Sequence, residues 1–178
     1  MPSAAPPTRY VVFSHGLDGS PWGRKIAALA EVARSEGYEP ESVDCRGVSS
    51  PRERLAKLIE TSRDLSGDIV LVGSSLGAYV SLTAASLLHA RGIFLMAPAI
   101  YMESLPPLRE KVIECPMTIV HGWRDETVPY EHSVRFAREY NAALHLLDDD
   151  HRLHRQIRVI SYLFEQFLIT LDLPAPME

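Results

Sequence analysis

The chain has 178 residues, which corresponds to one domain long enough to bury a hydrophobic core. Apolar residues make up 46% of it and charged residues 23%, which are ordinary globular values that argue against a disordered or fibrous chain. The net charge is −5 and no run of Lys and Arg exceeds two residues, so no nucleic-acid partner is expected.

The sequence also bears on redox chemistry and location. Cys45 and Cys115 are too few and too far apart for a disulfide framework or a zinc site. No apolar stretch approaches the ~20 residues of a membrane helix. The start of the chain is rich in Pro and Ala and lacks the charged and apolar regions of a signal peptide. We therefore expect a cytoplasmic protein with no membrane contact, no metal and no other cofactor, acting as a monomer or small homo-oligomer.

Short apolar runs alternate with longer helical patterns along the chain. Most of these runs are apolar throughout, as in strands that are buried on both faces of a parallel sheet. Strands and helices in alternation predict an α/β three-layer sandwich with a mainly parallel six-stranded sheet. We expect one domain over residues 9–172, with a disordered tail at 1–8 and a second tail at 173–178. The predicted strands are residues 10–14, 42–45, 69–73, 92–97, 117–120 and 144–147.

Two of the helices carry readable start signals, and a third is predicted from its apolar spacing. Ser20, followed by Pro, is predicted as the N-cap of the first helix. Ser50 and Glu53 form a capping box at the start of the second helix. Apolar residues at helical spacing predict the last helix over residues 152–170.

A G-x-S-x-G pattern, formed by Gly73, Ser75 and Gly77, follows the third predicted strand and opens a helix. In this context the central Ser projects from a tight turn, where its hydroxyl can act as a nucleophile. The amide of Leu76, at the helix N-terminus, can stabilise a developing oxyanion. The alternative interpretation is a Gly-rich turn without chemistry.

A Ser nucleophile needs a base and an acid that orients the base. Asp125 follows the fifth predicted strand, and His151 follows the sixth. Ligands bind at the carboxyl ends of parallel strands, so these side chains are expected to meet Ser75 there. Leu17, in the loop after the first strand, offers a second amide for an oxyanion.

Together these motifs resemble the small, capless α/β-hydrolases of the compact bacterial serine esterase type. The resemblance covers residues 9–171 and rests on H-G after the first strand, G-x-S-x-G, H-G-x-x-D-x-x-V-P and a late His, in that order. It implies a minimal α/β-hydrolase fold without a cap domain. It also implies Ser75 as nucleophile, Asp125 as orienting acid, His151 as general base, and Leu17 and Leu76 as oxyanion donors.

Two features depart from the family pattern. Residues 148–150 are all Asp, where the family usually has a Gly shortly before its catalytic His. The family's amino-terminal two-strand hairpin is absent, so a six-stranded sheet of order 2-1-3-4-5-6 is expected. His154 is an alternative base, but we expect it inside the last helix. The three Asp with His151 and His154 could also be metal ligands, although a solvated acidic loop is the preferred interpretation.

The predicted reaction is the cleavage of small carboxylic esters or thioesters through an acyl-enzyme on Ser75. The alternatives are a catalytically silent binding protein on the same fold, or a hydrolase of amide or C–C bonds, because a triad does not encode the leaving group. His15, Tyr101 and Trp123 are possible substrate contacts, although His15 is expected mainly to fix its loop. Aromatic core packing explains Tyr101 and Trp123 equally well.

The segment between the fourth and fifth strands contains Pro106-Pro107 and is too short for a multi-helix lid. It leaves room for one short helix and a loop. We therefore expect a shallow, open site that prefers short acyl groups.

Overall fold

The computed structural model describes residues 8–108 and 114–173. The predicted tails therefore lie outside the described residues, except for Thr8, which begins the first strand, and Leu173, which follows the last helix. The described elements, in chain order, are β1 (Thr8–Ser14), α1 (Arg24–Ser35), β2 (Glu39–Val43), α2 (Pro51–Ser62), β3 (Gly67–Ser74), α3 (Leu76–Ala84), β4 (Gly92–Met96), β5 (Met117–Gly122), α4 (Tyr130–Tyr140), β6 (Ala143–Leu147) and α5 (Ile157–Asp172).

The six strands form one sheet in the order β2-β1-β3-β4-β5-β6, and every neighbouring pair is parallel. Helices α1 and α5 pack on one face, and α2, α3 and α4 pack on the other. The predicted sandwich and its strand order are confirmed. Because the strands are parallel, their carboxyl ends share one edge, where the loops that carry the candidate residues converge.

The core lies on both faces of the sheet because side chains alternate along each strand. On β3, Ile69 and Leu71 face the α2–α3 side, whereas Val70 and Val72 face α1 and α5. All four are buried. Two-sided burial is the physical reason why the predicted strands read as continuous apolar runs.

Two helix starts differ from the prediction. Helix α1 begins at Arg24, with Gly23 as its N-cap, because residues 20–23 form a turn in which the Gly23 amide donates to the Ser20 carbonyl (3.1 Å). Helix α5 begins at Ile157, so His154 lies in the loop before the helix and not inside it. At α2 the prediction holds, since Ser50 Oγ accepts from the Glu53 amide (3.3 Å).

The connection from β4 to β5 consists of turns, bends and irregular backbone in its described residues, 97–108 and 114–116. The sequence leaves room for one short helix here, and these residues contain none, while residues 109–113 lie outside the described part of the chain. No multi-helix cap is found in the described residues of this connection. Of the helices that the structure describes, none is both long and apolar enough to cross a membrane.

Candidate active site

Ser75 forms the sharp corner between β3 and α3. Its backbone has φ 54° and ψ −120°, which is a conformation that L residues rarely adopt. The surrounding backbone holds it there: the Ser75 amide donates to the Met96 carbonyl (3.0 Å), and the Ser75 carbonyl accepts from the amides of Ala78 (3.0 Å) and Ala99 (3.1 Å). The hydroxyl therefore projects above the carboxyl edge of the sheet.

Two glycines make this corner possible. A Cβ on Gly73 would overlap the backbone of Ala78, and a Cβ on Gly77 would overlap the carbonyl groups of Ser14 and His15. Both neighbours are backbone atoms, which cannot move aside as a flexible side chain can. The glycines thus allow α3 to start directly over β3 and against the loop after β1.

Ser75, His151 and Asp125 form a continuous hydrogen-bonded chain. His151 Nδ1 lies 2.7 Å from Asp125 Oδ2, so this nitrogen carries the proton and donates to the carboxylate. His151 Nε2 is then free to accept from the Ser75 hydroxyl, whose oxygen lies 3.0 Å away. These three residues come from the ends of three different strands, and the structure brings them together at the carboxyl edge of the sheet.

Asp125 is held as a carboxylate by four donors. Oδ1 accepts from the amides of Thr127 (2.9 Å) and Val128 (2.8 Å), and Oδ2 accepts from His151 and from His121 Nε2 (2.9 Å). Burial raises the pKa of the Asp125 carboxyl, but these hydrogen bonds outweigh burial and hold its pKa below the ordinary range.

His121 is completely buried beneath Asp125. Its Nε2 also lies 3.1 Å from the Val128 carbonyl, so this nitrogen faces two acceptors and must be protonated. Its Nδ1 contacts Ser133 Oγ at 2.7 Å. His121 therefore fixes the acid from behind while His151 contacts it from the front. His121 thus has a structural role, which is to position the Asp125 carboxylate.

The loop after β1 lies against Ser75. Gly16 is so close that an added Cβ would sit 3.3 Å from Ser75 Cβ. Leu17, which follows it, and Leu76, at the first position of α3, both line the crevice around Ser75. Among the hydrogen bonds of the described residues, none uses the amide of Leu17 or of Leu76. Both amides are therefore free to donate to a bound group.

His15 fixes the orientation of this loop. Its Nε2 accepts from the Cys45 amide (3.0 Å), so its Nδ1 carries the proton and donates to the Gly16 carbonyl (2.7 Å). Burial lowers the pKa of the His15 imidazole, which agrees with this neutral form. The Gly16 carbonyl and the Leu17 amide belong to one planar trans peptide, and they point in opposite directions. Holding the carbonyl therefore aims the Leu17 N–H.

Arg54, which the sequence did not single out, supports the same loop from below. Its guanidinium is completely buried and donates to the carbonyls of Val48 and His15, each at 2.6 Å. Longer contacts reach the carbonyls of Cys45 (3.3 Å) and Gly16 (3.5 Å). One signal could have revealed it: Arg54 stands four residues before the buried Leu58, on the inward face of α2.

The crevice above Ser75 has a volume of about 850 Å³, within the range of small-molecule sites. Apolar side chains from α3 and from the β4–β5 connection line part of it, among them Leu76, Met102 and Leu105. Basic side chains line another part, at the start of α1 and in the β6–α5 loop: Arg24, Lys25, Arg152 and His154.

Two of the predicted substrate contacts do not lie in this crevice. The Tyr101 hydroxyl donates to Glu139 (2.5 Å) and its ring packs against Phe136, whereas Trp123 packs against Tyr130. Both aromatic rings are used in packing around α4, and neither is among the described lining residues. His15 does line the crevice, but both its nitrogens are occupied within the protein.

The aspartates before His151 serve the local turn. Asp148 pairs with Arg124 (2.9 Å). Buried Asp149 accepts from three amides around the start of α5, including that of Arg155, and Asp150 accepts from the Arg152 amide. These bonds explain how the turn forms without the family's usual Gly. Within residues 8–108 and 114–173, no group of three acidic, His or Cys side chains is arranged to hold a metal ion.

The six-stranded parallel sheet, with helices on both faces, is the fold of the α/β-hydrolases, and comparison with known proteins supports this class. The sequence matches the alpha/beta hydrolase family over residues 11–175. This chain therefore belongs to the alpha/beta hydrolase family, as a small member without a cap. No functionally curated protein matches it significantly.

Solved structures show the same relationship. A Xanthomonas campestris pv. campestris protein of the alpha/beta hydrolase superfamily is 32% identical, with a TM-score of 0.83 over 93% of this chain and 99% of that one. An esterase from Pyrococcus furiosus is 18% identical (TM-score 0.73, 93% and 81% covered), and a monoacylglycerol lipase from Paleococcus ferrophilus is 15% identical (TM-score 0.76, 93% and 97% covered). The last two show likeness of fold alone.

Proposed function

We propose that the protein is a serine hydrolase that cleaves small carboxylic esters or thioesters through an acyl-enzyme on Ser75. The observation that carries this proposal is the hydrogen-bonded chain from Ser75 Oγ through His151 to Asp125, with links of 3.0 and 2.7 Å. A hydroxyl that is bonded to an imidazole, itself oriented by a buried carboxylate, is the arrangement that nucleophilic acyl transfer requires.

In the first half-reaction, Ser75 Oγ attacks the carbonyl carbon of the substrate while its proton passes to His151 Nε2. Asp125 stabilises the resulting imidazolium through Nδ1–H. The negative charge on the former carbonyl oxygen is bound by the amides of Leu17 and Leu76. The intermediate then collapses, and the alcohol or thiol leaves with the proton from His151.

In the second half-reaction, water repeats the attack on the acyl-enzyme. His151 takes a proton from the water, the same two amides bind the oxyanion, and the carboxylic acid is released as Ser75 regains its proton. His121 and Arg54 contact no reacting atom in this scheme. They act as positioning residues, His121 on the acid and Arg54 on the oxyanion loop.

Similarity of fold to an esterase and a monoacylglycerol lipase supports ester cleavage, although the sequences of those proteins are too distant to transfer a substrate. The preference for short acyl groups stays a prediction. Cytoplasmic location, the absence of a cofactor and of a nucleic-acid partner, and a monomeric or small homo-oligomeric state also stay predictions.

The test is covalent labelling with a fluorophosphonate, which reacts with an activated Ser. Mass spectrometry of the labelled wild-type protein should place the adduct on Ser75, and Ser75→Ala should abolish both labelling and ester hydrolysis. Ser35→Ala is the matched control, because Ser35 lies on the exposed end of α1 and its hydroxyl only contacts the Val32 carbonyl. It should be labelled like the wild type.

Folded protein that takes up no label would refute the proposal and favour a binding protein without chemistry. Labelling at Ser75 without cleavage of esters or thioesters would support Ser75 as the nucleophile and favour a hydrolase of amide or C–C bonds. Full activity in Ser75→Ala would overturn the assignment of the nucleophile.

A further inference from the structure

Four basic side chains share the crevice with Ser75. Arg24 and Lys25 come from the start of α1, and Arg152 and His154 come from the loop between β6 and α5. Among the ion pairs of the described residues, none involves any of these four. The chain as a whole has a net charge of −5, so the positive charge of Arg24, Lys25 and Arg152 is local and runs against the overall charge. Asp18 is the acidic residue among the described lining residues, and His154 adds a neutral imidazole donor.

Lys25 is the most enclosed of the four. It is half-buried, and its Nζ donates to Ser74 Oγ at 3.0 Å. Burial lowers the pKa of Lys25 to about 8, although the charges of Asp149, Asp125 and Asp150 act in the opposite direction. Its side chain is thus mostly charged at neutral pH and has lost part of its hydration.

The nearby acids do not neutralise this ammonium by contact. Asp125 is occupied by two histidines and two backbone amides. Asp149 accepts three amides, and Asp150 accepts the amide of Arg152. Burial lowers the pKa of His154, and the positive charges of Lys25, Arg24 and Arg152 lower it further, while the charge of Asp150 acts in the opposite direction.

The hydrogen bond between Lys25 and Ser74 limits how far the Lys25 ammonium can lie from the Ser75 hydroxyl. Ser74 directly precedes Ser75, and adjacent Cα atoms are 3.8 Å apart, so Lys25 Nζ lies at most about 12 Å from Ser75 Oγ. A carboxylate that is joined to a reacting carbonyl by roughly two to four methylenes spans this distance.

We propose that Arg24, Lys25, Arg152 and His154 form a subsite for an anionic substrate group, so that the enzyme prefers esters or thioesters carrying a carboxylate a short chain away from the scissile carbonyl. The apolar wall around Leu76, Met102 and Leu105 contacts the connecting methylenes. This inference rests on the proposed function, because it places the anion relative to acyl transfer at Ser75.

Two matched pairs of esters test the subsite, one for each half of the substrate. The first pair is the p-nitrophenyl monoester of adipic acid and the p-nitrophenyl ester of adipic monoamide. The second is 4-butyryloxybutanoate and 4-butyryloxybutanamide, followed by acid release at constant pH. Within each pair the carboxylate is replaced by a neutral carboxamide of the same shape, so the ratio of kcat/KM reports the charge alone.

The wild-type protein should favour the anion by about 10-fold or more in at least one pair, as a charge-assisted hydrogen bond implies. Since mobile ions screen charges, this ratio should fall toward one between 20 mM and about 0.5 M NaCl. Lys25→Met should lower the ratio mainly through KM of the anionic ester. Arg152→Gln, at an exposed position, provides a second variant if Lys25→Met does not fold.

Arg138→Met is the matched control, because it removes one positive charge from the exposed face of α4, outside the crevice. Its ratio should equal that of the wild type. A wild-type ratio of one or below in both pairs, with the neutral esters hydrolysed, would overturn the subsite and leave the proposed function standing.

Failure of the proposed function gives a different result, since no ester of either pair would be cleaved. In that case NMR titration of ¹⁵N-labelled protein with adipic monoamide and with neutral adipamide tests the subsite by binding alone. Saturable shifts around Lys25 and Arg152 with the monoamide only would support the subsite. Equal responses to the two ligands would overturn it.

Discussion

Replacing Arg54 by Met should damage catalysis from a position that touches no substrate. The guanidinium is completely buried and has no carboxylate partner among the described residues. It is solvated by backbone carbonyls instead, with 2.6 Å bonds to Val48 and His15. Met has a similar length and no donor. The substitution therefore keeps most of the packing and leaves those two carbonyls without this partner.

The magnitude follows from those two bonds. A buried carbonyl that loses its partner costs roughly 1–3 kcal/mol, and part of this cost is offset because a buried charge is also removed. We expect a net destabilisation of about 2–4 kcal/mol, which lowers the Tm of a domain of this size by roughly 5–15 °C. Removing an oxyanion donor outright costs about 100–1000-fold in kcat. Misaiming the Leu17 amide should therefore cost roughly 10–100-fold.

The assay is kcat and KM for a neutral p-nitrophenyl ester, measured at least 15 °C below the Tm of the variant so that unfolding does not contribute. Affinity for a boronic acid, which mimics the tetrahedral intermediate, should fall in parallel with kcat. Arg52→Met is the matched control, since Arg52 is exposed on the same helix and the charge change is identical. A folded Arg54→Met protein with wild-type kcat would refute the coupling between Arg54 and the oxyanion loop.

Two further substitutions test the proposed base, His151, and the close backbone packing at Gly77. His151→Gln should lower kcat/KM for a neutral ester by at least about 1000-fold, because no base remains to take the Ser75 proton. His89→Gln, at an exposed position outside the crevice, is its control, and retention of a tenth of the activity in His151→Gln would contradict the role of base. Gly77→Ala should lower stability by several kcal/mol in urea unfolding, because its Cβ overlaps backbone carbonyls. Gly23→Ala, whose Cβ meets only ordinary contacts, should cost about 1 kcal/mol or less, and equal losses in the two variants would count against the steric argument.

The fold could be predicted from the sequence because the strongest signals are local. Strands buried on both faces are apolar throughout, and the order of helices and strands restricts the sheet to few topologies. The same logic placed Ser75, Asp125 and His151 at one edge, since each directly follows a strand of a parallel sheet. His154 was misplaced in the last helix because Asp149 ties the amides that precede Ile157 into a loop.

The residues that sequence reasoning missed owe their importance to partners that are distant in the sequence. Arg54 donates to the carbonyl of His15, and Lys25 donates to the Ser74 hydroxyl at the end of β3, so the residues next to them in the chain reveal little. Tyr101 and Trp123 were possible substrate contacts, with aromatic packing as the equal alternative. Their rings pack around α4 with Phe136 and Tyr130, partners that no local pattern indicates.

The β1–α1 loop shows how this small fold can align an oxyanion donor without a cap. The Gly16 carbonyl accepts from the His15 imidazole (2.7 Å) and from the Gly19 amide (3.2 Å), while Arg54 contacts it at the edge of hydrogen-bond range. Donors on the carbonyl side of a peptide polarise its N–H on the opposite side. The Leu17 amide is therefore both aimed and strengthened as a donor before any substrate arrives, which is the preorganisation that the proposed oxyanion role of Leu17 requires.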